Sequence, residues 1–158
     1  MRNQKGQALV ETALVIPLLL LLIMGLFEFG RVMYIKNTLN NAARTGVRAA
    51  VVTTGLQATS TPQTLNNSCT FSGPNKLVYQ LICNSIYNGI PKDQVTVNIA
   101  ISDLSLPTGL SAGDSVTATL TWGSFKFVTP LAPLAALAGG SSVLNLDSIV
   151  GEASMRYE

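Results

Sequence analysis

The sequence predicts an α+β protein. Its expected parts are a long N-terminal α-helix, first transmembrane and then amphipathic, an outer antiparallel β-sheet of three to four strands on which that helix packs, and one short additional helix. Three observations predict this. Residues 12–27, TALVIPLLLLLIMGLF, carry no charge. Apolar and small residues then recur at helical spacing as far as Ala50. From Val95 onward the period changes to two, the signature of half-buried strands.

The first element is a membrane span. Extended to Ala8 and Phe29, the apolar stretch has 22 residues. At the rise of an α-helix it is about 33 Å long, enough to cross a hydrocarbon core. A cleaved signal peptide has a shorter apolar core and a small-residue cleavage site. Here the longer run is followed by Glu28, Arg31, Val32 and Tyr34, so the span is expected to be retained. Arg2 and Lys5 precede it, and Arg31 and Lys36 follow it, which nearly balances the flanking charge. The short basic head fits an N-terminus inside and a C-terminus outside. Pro17 removes one backbone donor and should bend the helix, which membrane helices tolerate. Glu11 is a carboxylate within the apolar stretch. Either it reaches the headgroups or it needs a cationic partner in the membrane.

The helix is expected to continue beyond the membrane. Val32, Ile35, Leu39, Ala42, Gly46 and Ala50 form an i, i+3, i+4 series, giving a helix over about residues 8–52. Ala42, Ala43, Gly46, Ala49 and Ala50 make a thin surface that admits close approach, by the protein's own sheet or by a helix of an assembly partner. Arg44 and Arg48 lie one turn apart, available to headgroups, acidic neighbours or solvent.

The outer domain, residues 53–158, begins with a Thr/Ser/Asn/Gly/Pro-rich loop over 53–75. A second helix is predicted over residues 76–88 from Leu77, Val78, Leu81, Ile82 and Ile86, with Pro74 in its first turn, Gly89 as C-cap and Pro91 as stop. Strands follow at Val95–Ile101 and Val116–Trp122, joined by a long connection containing Pro107 and Gly113. A short strand is expected at Phe125/Phe127 and a closing strand at about Ile149–Tyr157. Leu131–Ala138 reads as an apolar lid or a contact patch. Cys69 and Cys83 are expected to form a disulfide outside the cytoplasm, tying the loop to the second helix. Asn66-Asn67-Ser68 is a formal glycosylation sequon.

Composition narrows the function. The chain of 158 residues is 47% hydrophobic and 11% charged, too apolar for a disordered chain. A net charge of +2 supplies little phosphate neutralisation, so nucleic acid is not an expected partner. Charge is also uneven: residues 1–50 sum to +4 and the remainder to −2. There is no histidine, which removes imidazole bases and His-ligated zinc. Asp93, Asp103, Asp114 and Asp147 are scattered in turn-like settings, and no Gly-rich loop has phosphate-binding spacing. No catalytic residue, metal site or cofactor is expected, and the protein is not read as an enzyme.

The leader and helix carry a recognisable pattern: a short basic segment ending at Lys5-Gly6, then Gln7 and an apolar helix with Glu11 five residues after Gly6. This resembles the class III signal of type IV pilin-like proteins. The wider stretch, with Gly6, Glu11, Pro17, Glu28-Phe29-Gly30-Arg31, Asn41-Ala42-Ala43-Arg44 and Gly46-Val47-Arg48, resembles the TadE-like minor pseudopilins of tight-adherence (Flp/Tad) pilus systems. Residues 153–158 are loosely similar to that family's closing strand, and Thr12 departs from its usual aromatic or large apolar residue. The resemblance implies a pilin-like fold with an extracytoplasmic sheet and cleavage by a prepilin peptidase after Gly6. Residues 1–6 would be the leader, 7–30 the transmembrane helix and 31–52 its extracytoplasmic continuation. Glu11 would then pair with the new α-amine of Gln7, its own or a neighbour's. Pro17, Glu28, Arg31, Arg44 and Arg48 are the further candidates for assembly contacts. The implied partners are membrane lipid and other pilins or pseudopilins, in a homo- or hetero-oligomer. The implied location is the cytoplasmic membrane or a surface filament. The alternative is a membrane-tethered binding module that keeps its N-terminus uncut.

Overall fold

The alternating strands and the helical stripe meet in one core. The computed structural model describes residues 4–53, 56–57, 62–73, 75–86, 89–102, 113–123 and 148–158. Helix α1 runs Gln4–Val52 with Pro17 inside it. The chain divides into two compact units, one holding α1 up to Met33 and the other holding the described residues from Tyr34 onward.

In the first unit the apolar surface of α1 is uncovered: its most hydrophobic 18-residue window has a mean hydropathy of 2.5 and none of it is buried. By length and composition the helix is long and apolar enough to cross a membrane.

In the second unit four antiparallel strands lie in the order β1-β2-β3-β4. They are β1 Gln63–Thr64, β2 Val95–Ile101, β3 Ser115–Trp122 and β4 Ile149–Arg156. Val95, Trp122 and Ile149 stand side by side, and Val97, Leu120 and Gly151 form the next row. These rows point inward, while Thr96, Thr117, Thr119 and Thr121 line the more exposed face. That alternation is the period-two pattern of the sequence made physical. Helix α2, Lys76–Ser85, contributes Val78, Tyr79, Ile82 and Cys83 to the core. From α1 come Ile35, Leu39, Ala42, Ala43, Val47 and Ala50.

Small residues set the spacing of these elements. A Cβ on Gly46 would come within 2.5 Å of the Ile82 side chain. One on Gly151 would come within 2.6 Å of the Leu39 backbone, so β4 lies directly against α1. Asn40 Oδ1 accepts the Glu152 backbone N–H at 3.1 Å, occupying one donor of the edge strand. The thin surface therefore serves the protein's own fold at Ala42, Ala43, Gly46 and Ala50.

Three expectations need correction. The 53–75 segment contains β1, whose two residues pair with Val97 and Thr96; a strand this short leaves no periodic signal. Helix α2 ends a turn early. Ile86, not Gly89, is the C-cap, because its extended backbone (ψ 127°) turns its side chain into the core. The buried face of α2 is also rotated from the one expected: Val78, Ile82 and Ile86 are buried, whereas Leu77 and Leu81 are exposed. The buried stripe instead takes in Tyr79 and Cys83. The strand expected at Phe125/Phe127, the Leu131–Ala138 segment, Pro74 and Pro107 lie outside the described residues.

Polar anchors hold the loops. Buried Asn75 accepts the Gln57 N–H on Oδ1 at 3.1 Å and donates Nδ2–H to the Gln57 carbonyl at 2.6 Å. Trp122 Nε1–H donates to Gln94 Oε1 at 3.1 Å. Gly113, at φ +104°, adopts a backbone that favours glycine, and its N–H donates to the Tyr157 carbonyl at 2.8 Å.

Candidate assembly interface on the N-terminal helix

The residues singled out along α1 separate into three groups. The first lies at the helix start. Lys5, Gly6 and Gln7 are in its opening turns, with Gly6 and Gln7 exposed. Glu11 is exposed one turn further on, among exposed Val10, Leu14 and Val15. Neighbouring Thr12 spends its hydroxyl on the Ala8 carbonyl at 2.8 Å, a back-bond that hides its polarity within the helix. Pro17 cannot donate to the Ala13 carbonyl, so the span carries one carbonyl without its helical partner just after Glu11. This end of the helix thus presents a carboxylate and a weakened backbone on an otherwise apolar surface.

The second group is Glu28 and Arg31. Glu28 is buried although it is charged, and Arg31 Nη1 lies 3.8 Å from Glu28 Oε2 at i, i+3 spacing. The Arg31 side chain is 40% exposed and that of Glu28 only 5%, so the desolvation cost of the pair falls on the carboxylate. Sequence reasoning places Glu28 at the end of the span without predicting its burial. The signal available is the i, i+3 pairing with Arg31. Along the axis, Glu11 and Glu28 are about 26 Å apart, so they cannot form one site.

The third group is Arg44 and Arg48. Both are exposed, on the side of α1 that does not enter the core. Among the described residues neither has a hydrogen-bond or ion-pair partner. The structure therefore does not gather the sequence-picked residues into one pocket. It places them at successive positions along one helix.

Cys69 and Cys83 are joined in a disulfide with Cα atoms 5.6 Å apart, tying the loop before α2 to the helix itself. Lys92 Nζ approaches Cys69 Sγ at 3.4 Å. Asn66 uses its side chain on Thr70, accepting its N–H at 3.1 Å and donating to its carbonyl at 2.6 Å, so the sequon's asparagine has a structural turn role. Asp93 lies in a short 3₁₀ turn, Lys92–Gln94, and Asp114 accepts the Tyr157 N–H on its backbone carbonyl. Asp103 and Asp147 lie outside the described residues.

Residues 6–48 match the family model described as TadE-like protein. The match begins at Gly6 and ends at Arg48, covering the three groups on α1 apart from Lys5 and agreeing with the resemblance read from the sequence. Neither the curated proteins nor the solved structures yield a match. The TadE-like segment and the apolar helix fit a membrane-anchored component of a Tad pilus, and the family suggests involvement in pilus assembly with other pilus components.

Proposed function

We propose, from a chain whose residues 6–48 are TadE-like, that it is a minor pseudopilin-like structural component of a tight-adherence type pilus or related secretion filament. A prepilin peptidase removes the leader after Gly6. The helix holds the protein in the cytoplasmic membrane as a single pass, with residues 53–158 outside the cytoplasm, and joins it to other pilins or pseudopilins. It is an assembly protein and performs no catalysis.

The observation that carries this reading is Glu11, exposed on an uncovered apolar helix five residues after Gly6. A carboxylate in that setting is costly until a cation meets it. Cleavage after Gly6 creates such a cation, the α-amine of Gln7, at nearly the same depth. Pairing of that amine with Glu11 of a neighbouring helix would fix the axial register between subunits. The Cys69–Cys83 disulfide supports an oxidising compartment for the second unit. The sizeable outer domain favours a minor or tip position over the filament shaft.

The test is Glu11→Ala in the host. The variant should insert into the membrane and form its disulfide, yet fail to co-purify with the other pilins. Normal co-purification of the variant would refute the role given to Glu11.

A further inference from the structure

Beyond the helix-borne assembly surface, the second unit carries an open groove of about 600 Å³ where the end of α1 meets α2. Its apolar lining is exposed to an unusual degree: Val52 is 82% exposed, Leu77 53% and Leu81 46%. Leu77, Gln80, Leu81 and Asn84 line it from α2 at i, i+3, i+4, i+7 spacing, and Ala49, Val52 and Thr53 line it from α1. Two helices meeting along such a stripe leave a trough that a third helix can enter ridge into groove.

The surrounding charge says which kind of helix. Between Glu28 and Asp93 the sequence holds six Lys or Arg residues and no Asp or Glu. Both walls of the groove come from this purely cationic stretch. Arg48 lies one turn before Val52, and Lys76 immediately precedes Leu77. Lys92 reaches Cys69, which lines the groove, from a third side. The lining itself carries no charge; Arg48, Lys76 and Lys92 flank it, and Asp93, the first acid after this stretch, sits beside Lys92 on the 3₁₀ turn. A second copy of the chain docking here by a two-fold axis would set these cations against themselves.

We propose that the groove between the end of α1 and α2 docks an acidic amphipathic helix of another protein. The apolar stripe of that helix would cover Val52, Leu77 and Leu81, and its flanking carboxylates would face Arg48, Lys76 and Lys92. Rim charges of this kind steer association and select the partner, while the covered apolar side chains supply the affinity.

The experiment places a photo-crosslinking amino acid at position 81 of the full chain, expressed in its host membrane, and identifies the attached peptide by mass spectrometry. The expected product is a segment of another protein with net negative charge and apolar residues at helical spacing. Arg48→Glu combined with Lys76→Glu should lower its yield about five-fold or more, since each exposed pair is worth up to about 1 kcal/mol. Raising the salt should lower it too. Both substituted side chains are exposed, and formation of the Cys69–Cys83 disulfide on a non-reducing gel reports that the variant has folded. Attachment to lipid, to a second copy of this chain, or to a neutral or basic segment would overturn the proposal. So would absence of any product, or a yield indifferent to the double charge reversal. Because the readout is in the second unit, it stands or falls separately from co-purification through Glu11.

Discussion

Adding one methyl group to Gly151 should destabilise the second unit more than any comparably small change elsewhere. The new Cβ would lie 2.6 Å from the Leu39 carbonyl carbon and Cβ, and 2.8 Å from the Asn40 backbone nitrogen. Two of those three atoms belong to helix backbone and cannot rotate away, so β4 and α1 must separate. Their separation also stretches the 3.1 Å bond from Glu152 N–H to Asn40 Oδ1. Overpacking of this kind costs about 1–3 kcal/mol, and a backbone obstruction belongs at the upper end. With the lost hydrogen bond, Gly151→Ala should cost about 3 kcal/mol. For a unit of this size that lowers Tm by roughly 12–24 °C. Gly46→Ala provides the internal comparison. Its Cβ would meet only the Ile82 side chain, at 2.5 Å, which can change rotamer. Alanine also gains about 1 kcal/mol of helix propensity. The net loss should be about 1 kcal/mol. The assay is thermal unfolding of the full chain in neutral detergent, followed through Trp122, the sole and buried tryptophan. A Gly151→Ala variant within about 0.5 kcal/mol of the parent, the range of a bland surface change, would refute the reasoning. A Gly46→Ala variant less stable than Gly151→Ala would do the same.

Further expectations rest on single features. Reducing the Cys69–Cys83 disulfide should cost about 3 kcal/mol, seen as a lower urea midpoint in the presence of a phosphine reductant. Asn75→Ala leaves both the N–H and carbonyl of Gln57 without their partner and should cost about 2–3 kcal/mol by the same urea titration. Tyr79→Phe should be neutral or stabilising by about 1 kcal/mol: the tyrosine is buried, its hydroxyl has no hydrogen-bond partner among the described residues, and its ring contact with Phe71 at 5.7 Å survives the change.

The elements that could be read from the sequence are those in which burial and periodicity coincide. Helix α1 declares itself through an uncharged span and a continuous stripe from Val32 to Ala50. Strands β2 and β3 show alternation because one face meets the helices and the other carries Thr96, Thr117, Thr119 and Thr121. The disulfide was legible because only two cysteines exist and the span implies an oxidising side. What could not be read depends on partners distant in sequence. Strand β1 exists only because Val97 and Thr96 accept it, and Gln63–Thr64 has no pattern of its own. Helix α2 stops where Ile86 turns inward, although Gly89 and Pro91 offered a more conventional stop. Leu77 and Leu81 look like core residues in a linear pattern, but the core takes Tyr79 and Cys83 instead. The burial of Glu28 was equally hidden, since a charged residue at the edge of a span ordinarily reads as an interfacial one.

Processing of the helix after Gly6 and its use in assembly are tested most directly by the intact mass of the membrane-purified protein together with its N-terminal sequence. The expected mature chain starts at Gln7, with Glu11 as its fifth residue. A chain still starting at Met1 would contradict it and favour a tethered binding module, and a chain starting beyond residue 25 would remove the membrane helix on which the whole reading depends.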